Sequence, residues 1–507
     1  MRRALYFLSF YLFTFLLFGC SVSVPETYKE SEALPKVYPD VIDVTVPLNI
    51  APLTFELDEE ADGMIARYQR DGVEVVCEDK MQPSLSQWRE LTTKEGDISV
   101  DVFVKHGDQW TRHKPFSIHV SSDSIDSYLS YRLIPSSFVS YEALTISQRC
   151  LENYDESVIY DNILCTFEVE GQCINCHHYQ QYNPERMQFH ARQKWGGTVI
   201  AYDGQIKKVD MKNDSILSSG VYPAWHPWLK LIVYSTDKTL QSFHTTDSNK
   251  IEVYDLASDI IAYNIDKGEV TNLENDTTEL EVFPAWAPDG KTLYYCSAHY
   301  ERKDYSKTAT AELLKRCKEL KYNIYKKSFD PETMQFGPRE LVFAADAHNQ
   351  SATLPRVSPD GRWLVFTMAE FGYFHIWHHD ADLWAMDLSE ECGVRSEERK
   401  AQPIAAVNSP DTESYHSWSS NGRWLVVSSR RDDGTFTRPF FAHIDKDGRW
   451  SKPFELPQRD PDYHRQFLCS YNIPEFMHGP VEIAPQTFAD VLKGEGEPVK
   501  YVQRLSK

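Results

Sequence analysis

From Val41 onward the chain alternates apolar and polar residues over short runs. Asp43-Val44-Thr45-Val46-Pro47, Leu53-Thr54-Phe55-Glu56-Leu57 and Val73-Glu74-Val75-Val76 carry the two-residue period of strands, or are β-branched. Ile98 to Val104 and Phe116 to Val120 complete the set. Short strands at this density predict a small β-sandwich over residues 41–121. Residues 20–40 are polar, contain prolines and show no period, as in a tether. Over residues 122–195 the pattern loosens, and it reads as an irregular, partly helical segment. Ala311 to Leu320 places its apolar residues at helical spacing and reads as an inserted helix. Residues 485–507 read as a C-terminal tail.

Between residues 196 and 484 one pattern recurs. Tyr222-Pro223-Ala224-Trp225-His226-Pro227, Phe283-Pro284-Ala285-Trp286-Ala287-Pro288-Asp289-Gly290, Leu354-Pro355-Arg356-Val357-Ser358-Pro359-Asp360-Gly361 and Tyr415-His416-Ser417-Trp418-Ser419-Ser420-Asn421-Gly422 align at spacings of 61, 71 and 61 residues. Pro presets φ, Asp or Asn tolerates the turn and Gly supplies positive φ. An apolar strand follows each turn, as in Leu293 to Ser297 or Trp363 to Thr367. One turn signature per unit, repeated, means stacked small sheets, and a mainly β chain closed as a β-propeller is the expected fold class.

These segments resemble the W-S-P-D-G repeats of TolB-like β-propellers, also described as WD40-like or PD40 repeats. The resemblance covers about residues 196–480. It departs in the first copy, where Trp228-Leu229 replaces Asp-Gly. The strands count to five blades, and the resemblance implies six.

The N-terminus reads as a targeting segment. Arg2 and Arg3 precede an apolar run, Leu5 to Phe18, that is too short to span a bilayer. It ends in Leu17-Phe18-Gly19-Cys20, which resembles the lipobox of bacterial lipoproteins. That resemblance implies a signal peptide at residues 1–19, cleavage before Cys20 and lipidation of its thiol. The expected location is the bacterial cell envelope: a lipid-anchored protein of the outer membrane facing the periplasm, held at the membrane without spanning it. Ten cysteines and a formal charge of −22 sharpen the picture. So acidic a chain is repelled by phosphates, which excludes nucleic acid as a partner. Cys150 and Cys165 are candidates for a disulfide in an oxidising compartment. Cys77, Cys296, Cys317, Cys392 and Cys469 read as buried thiols.

One stretch carries explicit chemistry. Gly171-Gln172-Cys173-Ile174-Asn175-Cys176-His177-His178-Tyr179 contains C-x-x-C-H, the spacing that attaches a c-type haem. Cys173 and Cys176 would carry the thioethers to haem c, and His177 would be the proximal metal ligand on iron. Pro184 can start a helix, on which Met187 and His190 would share a face as alternative sixth ligands. A redox-active or structural disulfide and half of a zinc site are the other readings of the pair. Phe374-His375-Ile376-Trp377-His378-His379-Asp380-Ala381-Asp382 gathers His and Asp, as a metal site or as the entry to a strand.

No G-x-S-x-G and no H-E-x-x-H occurs, and nothing places paired carboxylates for glycan cleavage. The sequence therefore leans away from an enzyme. It favours an envelope scaffold whose propeller binds a protein or glycan, with a single haem for redox sensing or electron transfer. A cytochrome-like electron-transfer protein and a propeller enzyme acting on glycans are the alternatives.

Overall fold

The computed structural model describes residues 22–78, 81–136, 140–166, 172–389 and 400–503. Residues 1–21, which include the expected signal segment and Cys20, and also Cys392 lie outside the described residues. Among the described residues, six small antiparallel sheets succeed one another along the chain from Tyr128. They form a six-bladed β-propeller, which settles the choice between five blades and six.

Blade one is made by Tyr128–Pro135, Thr145–Cys150 and Glu156–Asp161, with the late strand Cys469–Met477 as its innermost member. Blade two is Ile174–Tyr179, Met187–Ala191, Gly197–Tyr202 and Gln205–Asp210. Blade three starts at Val221–Trp225, blade four at Glu279–Trp286, blade five at Ser351–Val357 and blade six at Glu413–Trp418. Cys469–Met477 pairs with Tyr128–Pro135, so a strand from the C-terminal end closes the ring on its first blade.

The ring therefore begins well before Gly196. The segment expected to be irregular and partly helical, 122–195, supplies three strands of blade one and the first two strands of blade two. Its strands escaped notice because they are rich in Ser, Gln, Arg and His, which blur the period. Ser130, Ser147, Gln148, Arg149, Gln188 and His190 are all buried. Blade interiors tolerate such residues when each finds a partner: Gln148 donates to the carbonyl of Val481 at 3.1 Å.

The C-terminal residues are not a loose tail. The helix Pro485–Lys493 buries Phe488, Ala489 and Leu492 against blades one and two. Beyond it, Glu497–Pro498 and Lys500–Tyr501 add short parallel strands to the outer edges of blades two and three. The inserted helix appears as Ala309–Arg316, capped by the Thr308 side chain.

The N-terminal β unit holds a seven-stranded sheet and a two-stranded pair, Val37–Tyr38 with Glu56–Leu57. Its long strand Gly96–His106 pairs with Gly63–Arg70 on one side and with both Gln109–Arg112 and Phe116–Ser121 on the other. The helix Leu85–Leu91 seals one end by burying Trp88 and Leu91. The expected tether also takes part: Lys29–Glu30 pairs with Thr111–Arg112. This sheet shares one core with blades one and six, where Val44, Val46 and Phe55 join Trp424, Phe441 and Tyr471.

One local feature recurs around the ring. The innermost strand of each blade shifts register by a bulge. In blades two, three, four, five and one the two extra residues are Cys176-His177, Tyr222-Pro223, Phe283-Pro284, Leu354-Pro355 and Ile473-Pro474. The first of each pair has positive φ, at 56°, 49°, 54°, 56° and 52° respectively. Side chains of this size rarely adopt that region, so the surrounding packing imposes it. In blade six the unpaired residues are Ser414-Tyr415, and His416 rejoins the ladder. The bulges turn the following residues toward the axis.

Candidate functional site

A funnel of about 330 Å³ opens on the axis, on the face that carries the repeated Pro-Asp-Gly turns. Every blade contributes to it just after its bulge: His178, Ala224, Ala285, Arg356 and Glu475 directly after it, and Ser417 one residue further on in blade six. Pro227, Pro288 and Pro359 form its rim, and Tyr182 and Trp286 contribute aromatic wall. The same sequence repeat thus builds the blades and aims six non-equivalent side chains at one point. A volume of this size matches small-ligand sites.

Three of those side chains are ionisable. His178 Nδ1 donates to both oxygens of Glu475, at 2.8 and 3.0 Å. A carboxylate only accepts, so the proton sits on Nδ1. Arg356 stands on the other side of the same carboxylate at 3.8 Å. Burial pushes the Glu475 carboxyl up, but His178 and Arg356 outweigh it and hold it below its ordinary range. Glu475 is therefore an anion, fixed between two bases. The 3.8 Å contact is too long for a hydrogen bond, so the guanidinium keeps its donors for something in the funnel.

Below this throat the axis is nearly closed. Cys176, His177, Tyr222, Phe283, Leu354, Tyr415 and Ile473 surround a cavity of about 30 Å³. Cys176 Sγ accepts the N–H of Tyr222 at 3.5 Å. Burial pushes its thiol up to about 11. His177 is 1% exposed, and its ring nitrogens make no well-formed side-chain hydrogen bond; only the backbone of Ile473 interacts with the ring. Burial, opposed by Glu475, pulls its pKa down to about 4, so the imidazole is neutral.

The haem ligand set expected from the sequence is not brought together. Met187 and His190 lie on a strand, Met187–Ala191, not on a helix, so their side chains leave opposite faces. Met187 packs in an apolar core with Ile174, Tyr179 and Phe189. His190 is buried beside Thr198 Oγ1 at 3.2 Å. An iron bound to His177 would have to occupy the 30 Å³ cavity, which has room for about one water molecule. A porphyrin does not fit there, and the residues present do not suit the group.

Other expected pairings also dissolve. Cys150 and Cys165 are free thiols, and Cys165 Sγ lies 3.9 Å from the carbonyl of Ala489. Cys77 and Cys296 are buried as expected, whereas Cys317 and Cys469 are partly exposed. In the His-rich loop, His378 Nε2 pairs with Glu252 at 2.8 Å and His375 bonds Thr353 Oγ1 at 3.0 Å. His379 Nδ1 pairs with Asp411 at 2.8 Å. Each histidine has a separate partner, and among the described residues no group of three His, Cys, Asp or Glu is arranged to hold a metal. Of these, the His378–Glu252 pair ties a long hairpin of blade three to blade five, helped by His379 Nε2 at 3.0 Å from the carbonyl of Ser248.

Sequence reasoning missed His178 and Glu475 because it stopped at four repeats. The signal was present: His177-His178-Tyr179 and Pro474-Glu475-Phe476 repeat the Pro-Ala-Trp and Pro-Arg-Val positions of the recognised copies.

No protein-family profile matches the chain, and no curated protein matches it. Solved structures do. TolB from Acinetobacter baumannii is 12% identical over 78% of this chain and 85% of its own, with a TM-score of 0.43. The β-propeller domain of the Trilobed protease from Pyrococcus furiosus is 12% identical over 72% and 96%, with a TM-score of 0.33. An oligogalacturonate lyase in complex with manganese is 11% identical over 70% and 86%, at 0.30. The chain is similar to these propellers in fold; its class, a six-bladed β-propeller with an appended seven-stranded sheet, rests on its own sheets.

Proposed function

We propose that this protein is an envelope lipoprotein, anchored through Cys20, whose propeller is a binding scaffold for a protein or glycan. Its ligand enters the axial funnel and is held there by Arg356. The observation that carries this reading is the arrangement at the throat: a guanidinium with open donors, backed by a carboxylate that His178 already satisfies. Such a fork suits an acidic group at the tip of the ligand, because Arg and carboxylate meet through two parallel hydrogen bonds. Three rim prolines and the aromatic wall supply rigid apolar contact around it. Among the described residues that line the funnel Glu475 is the one carboxylate, which favours binding over bond cleavage.

Affinity capture from crosslinked envelope extract tests it. The wild-type chain retains a partner that Arg356→Gln loses at least tenfold, with the variant's melting temperature unchanged. Equal capture by both proteins contradicts the funnel as the binding site.

A further inference from the structure

The haem reading of the C-x-x-C-H rests on spacing alone, and the fold supplies a different reason for two of its residues. Cys176 and His177 occupy the bulge that every inner strand carries. In blades three, four, five and one the residue in the place of His177 is Pro223, Pro284, Pro355 and Pro474. A proline has no N–H, so the ladder makes no use of a donor at this position. His177 follows the proline pattern, since pairing resumes only at His178, opposite Gln188. Blade six differs, because His416 resumes pairing one residue earlier.

Cys176 also has a place in the ring. It is the counterpart of Tyr222, Phe283, Leu354 and Ile473, all with the same left-handed backbone. Together these side chains close the axis around the small cavity. Its sulfur takes the N–H of Tyr222, the equivalent residue of the next blade. Gln188 donates to the Cys176 carbonyl, which fixes the bulge from the neighbouring strand. The first thiol, Cys173, stands just outside the strand and is partly exposed.

We infer that the C-x-x-C-H of this chain is the second blade's copy of the propeller repeat, and that its two thiols remain free of haem. The motif arises where an inner strand begins after one cysteine and bulges at another. The position of His177 is a proline position, and its imidazole has no side-chain partner, only a weak contact with the Ile473 backbone.

The test expresses the full chain in a host with c-type cytochrome maturation machinery. The purified protein is denatured, alkylated with iodoacetamide and analysed by mass spectrometry and visible absorption. The expected result is a peptide alkylated at both Cys173 and Cys176, with no Soret band. A peptide heavier by one haem, with a Soret band that persists in denaturant and is lost in Cys173→Ala plus Cys176→Ala, overturns the inference. His177→Pro provides the second readout. It is expected to fold, with a melting temperature within about 5 °C of the wild type, on the scale where a few degrees equal a small fraction of total stability. A His177→Pro chain that fails to fold overturns the equivalence of the bulge positions, even if both thiols are free.

Discussion

Arg356 and Glu475 face each other across the propeller axis at 3.8 Å, one on blade five and the other on the strand that closes blade one. Each sits in its own copy of the repeat, and no local stretch of sequence holds both. Their meeting depends on ring closure, which brings residues more than a hundred positions apart to one point. Chain closure and site assembly are therefore the same event in this protein.

Removing the carboxylate leaves two bases facing each other in a buried throat. Glu475→Ala is expected to lower stability by about 3 kcal/mol in urea denaturation at neutral pH. The dependence on pH follows from the depressed folded-state pKa of Glu475. The unfolded carboxyl titrates near its ordinary value of 4.5. The wild type's advantage is thus fully present above that pH and fades as pH falls through the lower folded value. A gap between wild type and variant that stays constant down to pH 3 would contradict the assignment.

Glu281 is the opposite case. It faces the boundary between blades three and four, is fully buried, and neither oxygen has a hydrogen-bond partner. Burial, reinforced by Asp259, Glu274 and Glu279, pushes its pKa up to about 9. The folded chain holds a proton there that the unfolded chain releases above 4.5, so stability falls as pH rises between these two values. Glu281→Gln removes that slope. It is expected to raise stability by about 1–3 kcal/mol at pH 8 and to change little at pH 4. Equal effects at both pH values would count against a neutral Glu281.

The turn glycines differ in what they exclude. Gly290, at φ +57°, lies under the indole of Trp228, and a Cβ there would overlap the ring and approach His226 at 2.9 Å. Gly204, at φ +75°, has open space in the same direction. Both substitutions by Ala carry backbone strain, but only Gly290→Ala displaces a neighbour. Thermal melts are expected to show Gly290→Ala about 2 kcal/mol worse than Gly204→Ala. Matching losses would show that the Trp228 contact contributes nothing.

The stretch from Pro485 onward looks dispensable in sequence and is not so in the fold. Phe488 and Leu492 are fully buried, and Lys208 Nζ bonds the carbonyls of Leu492 and Gly494 at 2.8 and 3.0 Å. Truncation after Ala484 exposes the apolar face beneath the helix. At about 1.5–3 kcal/mol for each large buried side chain, it is expected to destabilise by several kcal/mol. A truncated chain with an unchanged urea midpoint would restore the reading as a tail.

The propeller was legible wherever the repeat kept its Trp and its Pro-Asp-Gly turn, as at Phe283 to Gly290. It was illegible where function or closure altered the copy. Cys176-His177-His178-Tyr179 hides one repeat under a stronger chemical pattern, and Ile473-Pro474-Glu475-Phe476 lacks a turn because the chain leaves the ring there. Spacing alone could not reveal that Met187 and His190 sit on a strand, since Pro184 opens a turn as readily as a helix. The throat escaped because its partners are far apart in sequence and only the bulges aim them inward.

The account stands or falls on whether a ligand occupies the funnel. A photocrosslinking residue placed at Tyr182, on the funnel wall, and separately at Lys326, on a strand away from the funnel, tests this in living cells. The account predicts a crosslinked species of defined mass from position 182, lost when Arg356 is also changed to Gln, and none from position 326. Crosslinks from position 326 alone, or an identical product from position 182 without Arg356, would contradict it.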